Sequence, residues 1–175
     1  MLAIRQSTSE TVALISGGNR GLGRETARQL AAKGMKVVIG SRDSEAGQVT
    51  ARELSVHGVV AAVELDVTDE ASARAAIEFV AARFDGLDVL VNNAGRIVEE
   101  TAVSTTVEQL QDVFATNVFG AATMIRLALP MLARSAAPRI INVSSTTGSV
   151  SLTAAGADFG GNADLRSRTR RRRSR

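Results

Sequence analysis

The chain has 175 residues, 45% hydrophobic and 22% charged, which suits one globular domain with a sizeable core and excludes a disordered polypeptide. It has no cysteine and one histidine, His57, which excludes a disulfide, a thiolate metal site and a histidine metal cluster and leaves a histidine-based catalytic triad without support. Residues 1–162 carry 14 basic and 17 acidic side chains and residues 163–175 seven arginines against Asp164, so the formal net charge of +3 conceals a mildly acidic body with no electrostatic case for nucleic acid.

Residues 1–10 read as a polar N-terminal extension, too short and polar for a secretory signal. No apolar run approaches the roughly 20 residues of a membrane helix. The expectation is a cytoplasmic protein with no membrane partner.

TVALIS (11–16) is a short, β-branched apolar run that ends at glycines and predicts a strand buried on both faces. GLGRETARQLAAKG (21–34) follows, with Leu22, Ala27, Leu30 and Ala31 at helical spacing and Gly34 as its C-cap. KVVIGS (36–41) predicts a second strand, 45–58 a helix and VVAAVEL (59–65) a third strand. A helix over 70–84 leads to a fourth strand, LDVLVNN (87–93). A long helix covers 105–134 with a kink at Pro130, and PRIINVSS (138–145) predicts a fifth strand. There is no internal repeat.

Alternating helices and continuously apolar strands predict an α/β fold, a Rossmann-like doubly wound parallel sheet of about five strands over residues 11–150. Periodicity fades from Gly148. Residues 151–175, ending RSRTRRRRSR, have no apolar face to bury and predict a disordered tail.

SGGNRGLG (16–23) joins the first strand to the first helix, with Gly17, Gly21 and Gly23 spaced G-x-x-x-G-x-G. A tight turn needs residues without a Cβ, and a diphosphate needs close backbone approach and helix N-terminal amides. A glycine-rich turn without a ligand is the bland alternative. Ser41 and Arg42 stand at the end of the second strand, where an acid would grip a ribose 2′-hydroxyl. Arg42, helped by Arg20, can instead pair with a 2′-phosphate, which favours NADP(H) over NAD(H). The alternative is two ordinary surface arginines.

With these residues the sequence resembles a classical short-chain dehydrogenase/reductase across about residues 11–150. Ser16 stands where that family usually has threonine. Asp66-Val67 resembles the pair that contacts adenine, and NNAG (92–95) the segment that stabilises the sheet and borders the cofactor. TNVFG (116–120) resembles the helix with the active-site asparagine, here Asn117. INVSSTTG (141–148) resembles the segment with the catalytic serine, here Ser145. The resemblance implies an oxidoreductase acting on a small alcohol or carbonyl compound. Its cofactor residues would be Gly17, Asn19, Arg20, Gly21, Leu22, Gly23, Arg42, Asp66, Val67, Asn93, Ala94 and Gly95. Asn117 and Ser145 would belong to the catalytic set, with no metal. Full-length relatives usually form dimers or tetramers; the oligomeric state here stays open.

The family's Tyr-x-x-x-Lys pair is absent. At the usual spacing after Ser145 stand Asp158 and Asn162; there is no tyrosine, and the only lysines are Lys33 and Lys36. The expectation is a chain truncated after the fifth strand, inactive as a dehydrogenase. Codons exist for Arg168–Arg173 that, read two bases on, spell Tyr-Ala-Ala-Ser-Lys; the genetic code permits this spelling without requiring it, so one reading of the tail is a frameshift product. The competing reading is a non-catalytic NADP-binding or interaction module whose tail binds nucleic acid or an acidic partner. A third is a partial subunit completed by another chain.

Overall fold

A computed structural model describes residues 10–98, 104–146 and 149–156. The N-terminal extension before Glu10, the positions Asp158 and Asn162, and the arginine tail lie outside the described residues. Two compact units divide the chain: one holds Met1–Val98 and Thr106–Asn142, the other Glu99–Thr105 and Val143–Arg175.

The first unit alternates strands and helices in chain order: β1 (Val12–Ser16), α1 (Gly21–Ala32), β2 (Lys36–Ser41), α2 (Ser44–Leu54), β3 (Val60–Glu64), α3 (Glu70–Phe84), β4 (Val89–Asn92), α4 (Val107–Phe114), α5 (Ala121–Leu132) and β5 (Arg139–Asn142). The strands form one sheet in the order β3-β2-β1-β4-β5. Every pairing is parallel. The order reverses at β1, where β2 and β3 run to one side and β4 and β5 to the other. In such sheets this switch point opens a crevice at the carboxyl ends of the strands.

Alternation along β1 sends Val12 and Leu14 to one face and Ala13 and Ile15 to the other. The first pair joins Val38, Leu90 and the inner residues of α3 and α5, among them Ile77, Val80, Met124 and Leu132. The second joins Val37, Ile39, Val91 and the alanines Ala27, Ala31 and Ala51 of α1 and α2. Both faces of the central strands are covered, which is why they read as unbroken apolar runs.

Buried Asp88 fastens the far end of the sheet. Its Oδ2 accepts from the Val12 N–H at 2.8 Å, and its Oδ1 accepts from the Ser135 hydroxyl at 2.5 Å. A buried carboxylate persists when its oxygens are hydrogen-bonded like this.

The expected 45–58 helix ends at Leu54, and a 3₁₀ turn, Ser55–His57, follows it. His57 is exposed, as a surface residue should be. The long helix departs from α geometry at a π-helical segment, Ala115–Gly120, and continues through Pro130 to Leu132; its irregularity lies well before the proline expected to cause it. Contrary to the expectation that no apolar run approaches the length of a membrane helix, this run, Val107–Leu132, is long and apolar enough to cross a membrane by length and composition. Of this run, Met124, Ala128, Met131 and Leu132 pack into the core.

The fifth strand is shorter than the expected 138–145, and all four of its residues are exposed. Ile140 and Ile141 point to opposite faces and are 39% and 47% accessible, so neither face of this edge strand is sealed. An apolar edge of this kind invites pairing with another chain. The expected result is concentration-dependent self-association of the 175-residue chain, reduced in Ile141→Lys. Light scattering across a dilution series checks this; identical profiles for both proteins would refute it.

In the second unit, residues 143–146 are exposed, and α6 (Val150–Ala154) forms one short helix. Sequence periodicity does not announce this turn. Its start is supported by the Leu152 N–H, which donates to the Ser149 hydroxyl at 3.3 Å.

Candidate functional site

Three helices of the first unit start with a side-chain cap. Asp43 accepts from the Ala46 N–H at 2.9 Å for α2, and Asp69 from the Ala71 N–H at 2.9 Å for α3. Thr106 and Gln109 form a capping box for α4. Helix α1 differs. Arg20 at its N-cap makes no side-chain hydrogen bond to the first turn, and no acid stands in that turn. Its first amides have no intrahelical partner and carry the positive end of the helix dipole, a setting for an anion.

The loop before α1 needs its glycines. Gly17 has φ +65° and Gly21 φ +56°, conformations unfavourable for residues with a Cβ. Gly23 is buried beneath Gly17; a Cβ there would collide with the Gly17 carbonyl oxygen and lie 2.5 Å from Asn93 Nδ2. The loop and the first turn of the helix are therefore in backbone contact.

The end of β4 holds this loop in place. The Asn93 side-chain amide donates to the carbonyls of Ser16 and Gly17, each at 3.0 Å. The Ser16 hydroxyl accepts from the Asn93 and Ala94 N–H groups at 3.1 and 3.0 Å and donates to the Val91 carbonyl at 3.4 Å. From the other side, the Thr50 hydroxyl of α2 donates to the Asn19 carbonyl at 3.1 Å. A serine serves as this hub because its hydroxyl accepts and donates at once. Asn92 sits one position behind and donates to Asn142 Oδ1 at 2.8 Å, joining β4 to β5.

Every predicted cofactor residue except Gly23 lines one cleft of about 480 Å³. Gly17, Asn19, Arg20, Gly21 and Leu22 form its floor, and Leu22 is 73% exposed there. Arg42 lines it from the end of β2, Asp66 and Val67 from the end of β3, and Asn93, Ala94 and Gly95 from the end of β4. Gly23 acts from beneath, by leaving room for Gly17. Asp66 is partly buried, which by itself would raise its pKa. Hydrogen bonds from the Thr68 hydroxyl and N–H, together with the charge of Arg42, prevail and hold the carboxyl below its usual range.

Asn117 stands in the π-helical segment with its side chain committed. Its Oδ1 accepts from the Arg96 N–H and its Nδ2 donates to the Arg96 carbonyl, both at 2.8 Å. It is thereby joined to the loop that carries Gly95. Ser145 belongs to the other unit and is exposed.

Asp43, Leu65, Arg96 and Thr116 also line the cleft and were not anticipated. Asp43 and Leu65 adjoin predicted residues, and Arg96 directly follows Gly95, so adjacency was the available signal for these three. Thr116 directly precedes Asn117 and opens the TNVFG segment, so the same signal was available for it. Among the described residues, no cluster of three metal-ligating side chains occurs.

Residues 11–157 match the family model described as short chain dehydrogenase. The chain is 36% identical over 151 residues to the short-chain dehydrogenase anuI of Penicillium roqueforti, covering 83% of this chain and 60% of that protein. A solved NADP active-site complex of Pseudomonas aeruginosa RhlG superposes with a TM-score of 0.76 at 34% identity, over 83% of this chain and 60% of that one. The 3-ketoacyl-(acyl-carrier-protein) reductase of Brucella melitensis, solved with NADH, gives 0.67 at 34% identity, over 71% and 51%. The chain thus spans between half and two thirds of the length of these relatives. Common descent accounts for a glycine-floored cleft at the carboxyl ends of this sheet: the chain belongs to the short-chain dehydrogenase family.

Proposed function

We propose that this chain binds NADP(H), in preference to NAD(H), through the cleft at the ends of β1 to β4, and that its 175 residues do not by themselves complete a reductase. The observation that carries the first part is the cradle under α1. Gly17 and Gly21 take positive φ, and Gly23 sits against Gly17 with no space for a Cβ. The helix above has no side-chain cap. This donor set fits a diphosphate, and the named complexes of relatives with NADP and NADH support the reading.

Arg42 and Arg20 would hold the 2′-phosphate, Asp66 and Val67 would border the adenine, and Asn93, Ala94 and Gly95 would line the remainder. The chemistry the dinucleotide supplies when bound is hydride transfer between its nicotinamide and a carbon bearing oxygen. By family resemblance Ser145 would hydrogen-bond that oxygen, and Asn117 would belong to the same catalytic set. What the chain lacks is the proton donor. It contains no tyrosine, and Lys36 opens β2 at the amino end of the strand, with Lys33 just before it, opposite the cleft.

Arg42→Ala tests the cofactor reading. A charge-assisted hydrogen bond to phosphate is worth roughly 1.5–3 kcal/mol, so NADPH affinity should fall about tenfold or more while NADH affinity changes little. Unchanged NADPH affinity by fluorescence titration would remove Arg42 from the site.

A further inference from the structure

Arg96 is held at three points. Asn117 takes its backbone N–H and its carbonyl, both at 2.8 Å, and its guanidinium pairs with Asp112 Oδ2 at 2.9 Å. Asp112 and Asn117 lie on one helical run, five positions apart. In a regular α-helix such residues point about 140° away from each other. The π-helical segment beginning at Ala115 widens the turn, and i→i+5 geometry brings such positions toward one side. The Thr116 hydroxyl donates to the Asp112 carbonyl at 3.1 Å within the same stretch. Asp112 and Asn117 thus grip one loop residue, and that residue follows Gly95 on the wall of the cleft.

The sheet order says which part of a ligand this wall meets. The glycine loop sits at the end of β1; Arg42 and Asp66 lie at the ends of β2 and β3 on one side, and Asn93–Arg96 at the end of β4 on the other. A dinucleotide with its diphosphate on the loop and its adenosine over β2 and β3 must extend its second nucleoside over the end of β4.

We propose that Arg96 and Asp112 form a positioning pair that sets Gly95 and Asn117 for the second nucleoside of the dinucleotide. This rests on the dinucleotide reading above. The pair is half exposed, and a pair of that kind contributes little when simply deleted, so charge reversal is the sharper probe. Asp112→Arg places a second guanidinium against Arg96 and pushes the loop off the helix.

The test titrates the full 175-residue chain, Asp112→Arg and the doubly reversed Arg96→Asp/Asp112→Arg protein. Each is titrated at low protein concentration with NADPH and with 2′,5′-ADP, which carries only the adenosine end, and each is melted. The expected result is about fivefold weaker NADPH binding in Asp112→Arg, with 2′,5′-ADP affinity unchanged, and recovery in the doubly reversed protein. Unchanged NADPH affinity in Asp112→Arg overturns the proposal. So does equal weakening of both ligands with a lower Tm, which would make the pair merely structural. If the unaltered chain binds neither ligand, the dinucleotide reading itself fails and this inference with it; if it binds both and the variants behave alike, only the positioning pair fails.

Discussion

Given NADPH and a panel of small aldehydes and ketones, the 175-residue chain will bind the dinucleotide and leave it unoxidised. Carbonyl reduction needs a proton at the oxygen as hydride arrives at the carbon. A positioned general acid contributes roughly 10²–10⁴ in rate. The family's tyrosine fills that role, and a lysine brings its pKa down from about 10 toward neutrality. This sequence has no tyrosine, and its two lysines stand by the start of β2, away from the cleft. Asn117 cannot substitute, since a carboxamide N–H donates hydrogen bonds but is far too weak an acid to give up its proton. Loss of NADPH absorbance in proportion to protein concentration would refute this, provided that a Gly23 variant abolishes it.

The second large effect is expected at Gly23. Gly23→Ala puts a methyl group onto the Gly17 carbonyl oxygen and 2.5 Å from Asn93 Nδ2. Neither atom can yield cheaply. The carbonyl belongs to a loop held at positive φ, and the Asn93 amide is committed to the Ser16 and Gly17 carbonyls. Overpacking of this kind costs about 1–3 kcal/mol, and the displaced loop should lower NADPH affinity by more than about tenfold. Gly21→Ala is the informative companion. A Cβ at Gly21 meets nothing within 4 Å, so only its φ of +56° penalises the change, at about 1–2 kcal/mol. Thermal melts of the two variants should therefore differ, with Gly23→Ala the less stable. Wild-type behaviour from Gly23→Ala would mean the loop does not rest on the helix.

Much of this architecture is legible along the chain. Helix α3 occupies the predicted residues, Glu70–Phe84, because Asp69 caps its start and Asp85 ends it in the left-handed region. The strands β1 to β4 fall within their apolar runs because burial on both faces demands such runs. Boundaries fare worse where local preference is weak. Apolar content carries the fifth strand to residue 145, but its pairing with β4 ends at Asn142. Pro130 suggests a kink, yet the helix continues past it and changes geometry at Ala115–Gly120, a segment that closes on a glycine.

By itself, the sequence determined the order of the elements, the glycine loop opening the first helix, the family and the lack of a tyrosine. Each of these is either local, within a few residues, or a matter of composition. Only the tertiary structure decided that Ser16 binds the amides of Asn93 and Ala94, that Asp88 fastens the start of β1, and that Asp112 and Asn117 share Arg96. Ser16 and Asn93 are 77 positions apart, and Val12 and Asp88 are 76. Such partners meet because β1 and β4 are neighbours in the sheet although far apart in the chain, and periodicity along a strand says which face a side chain takes but not which strand lies beside it.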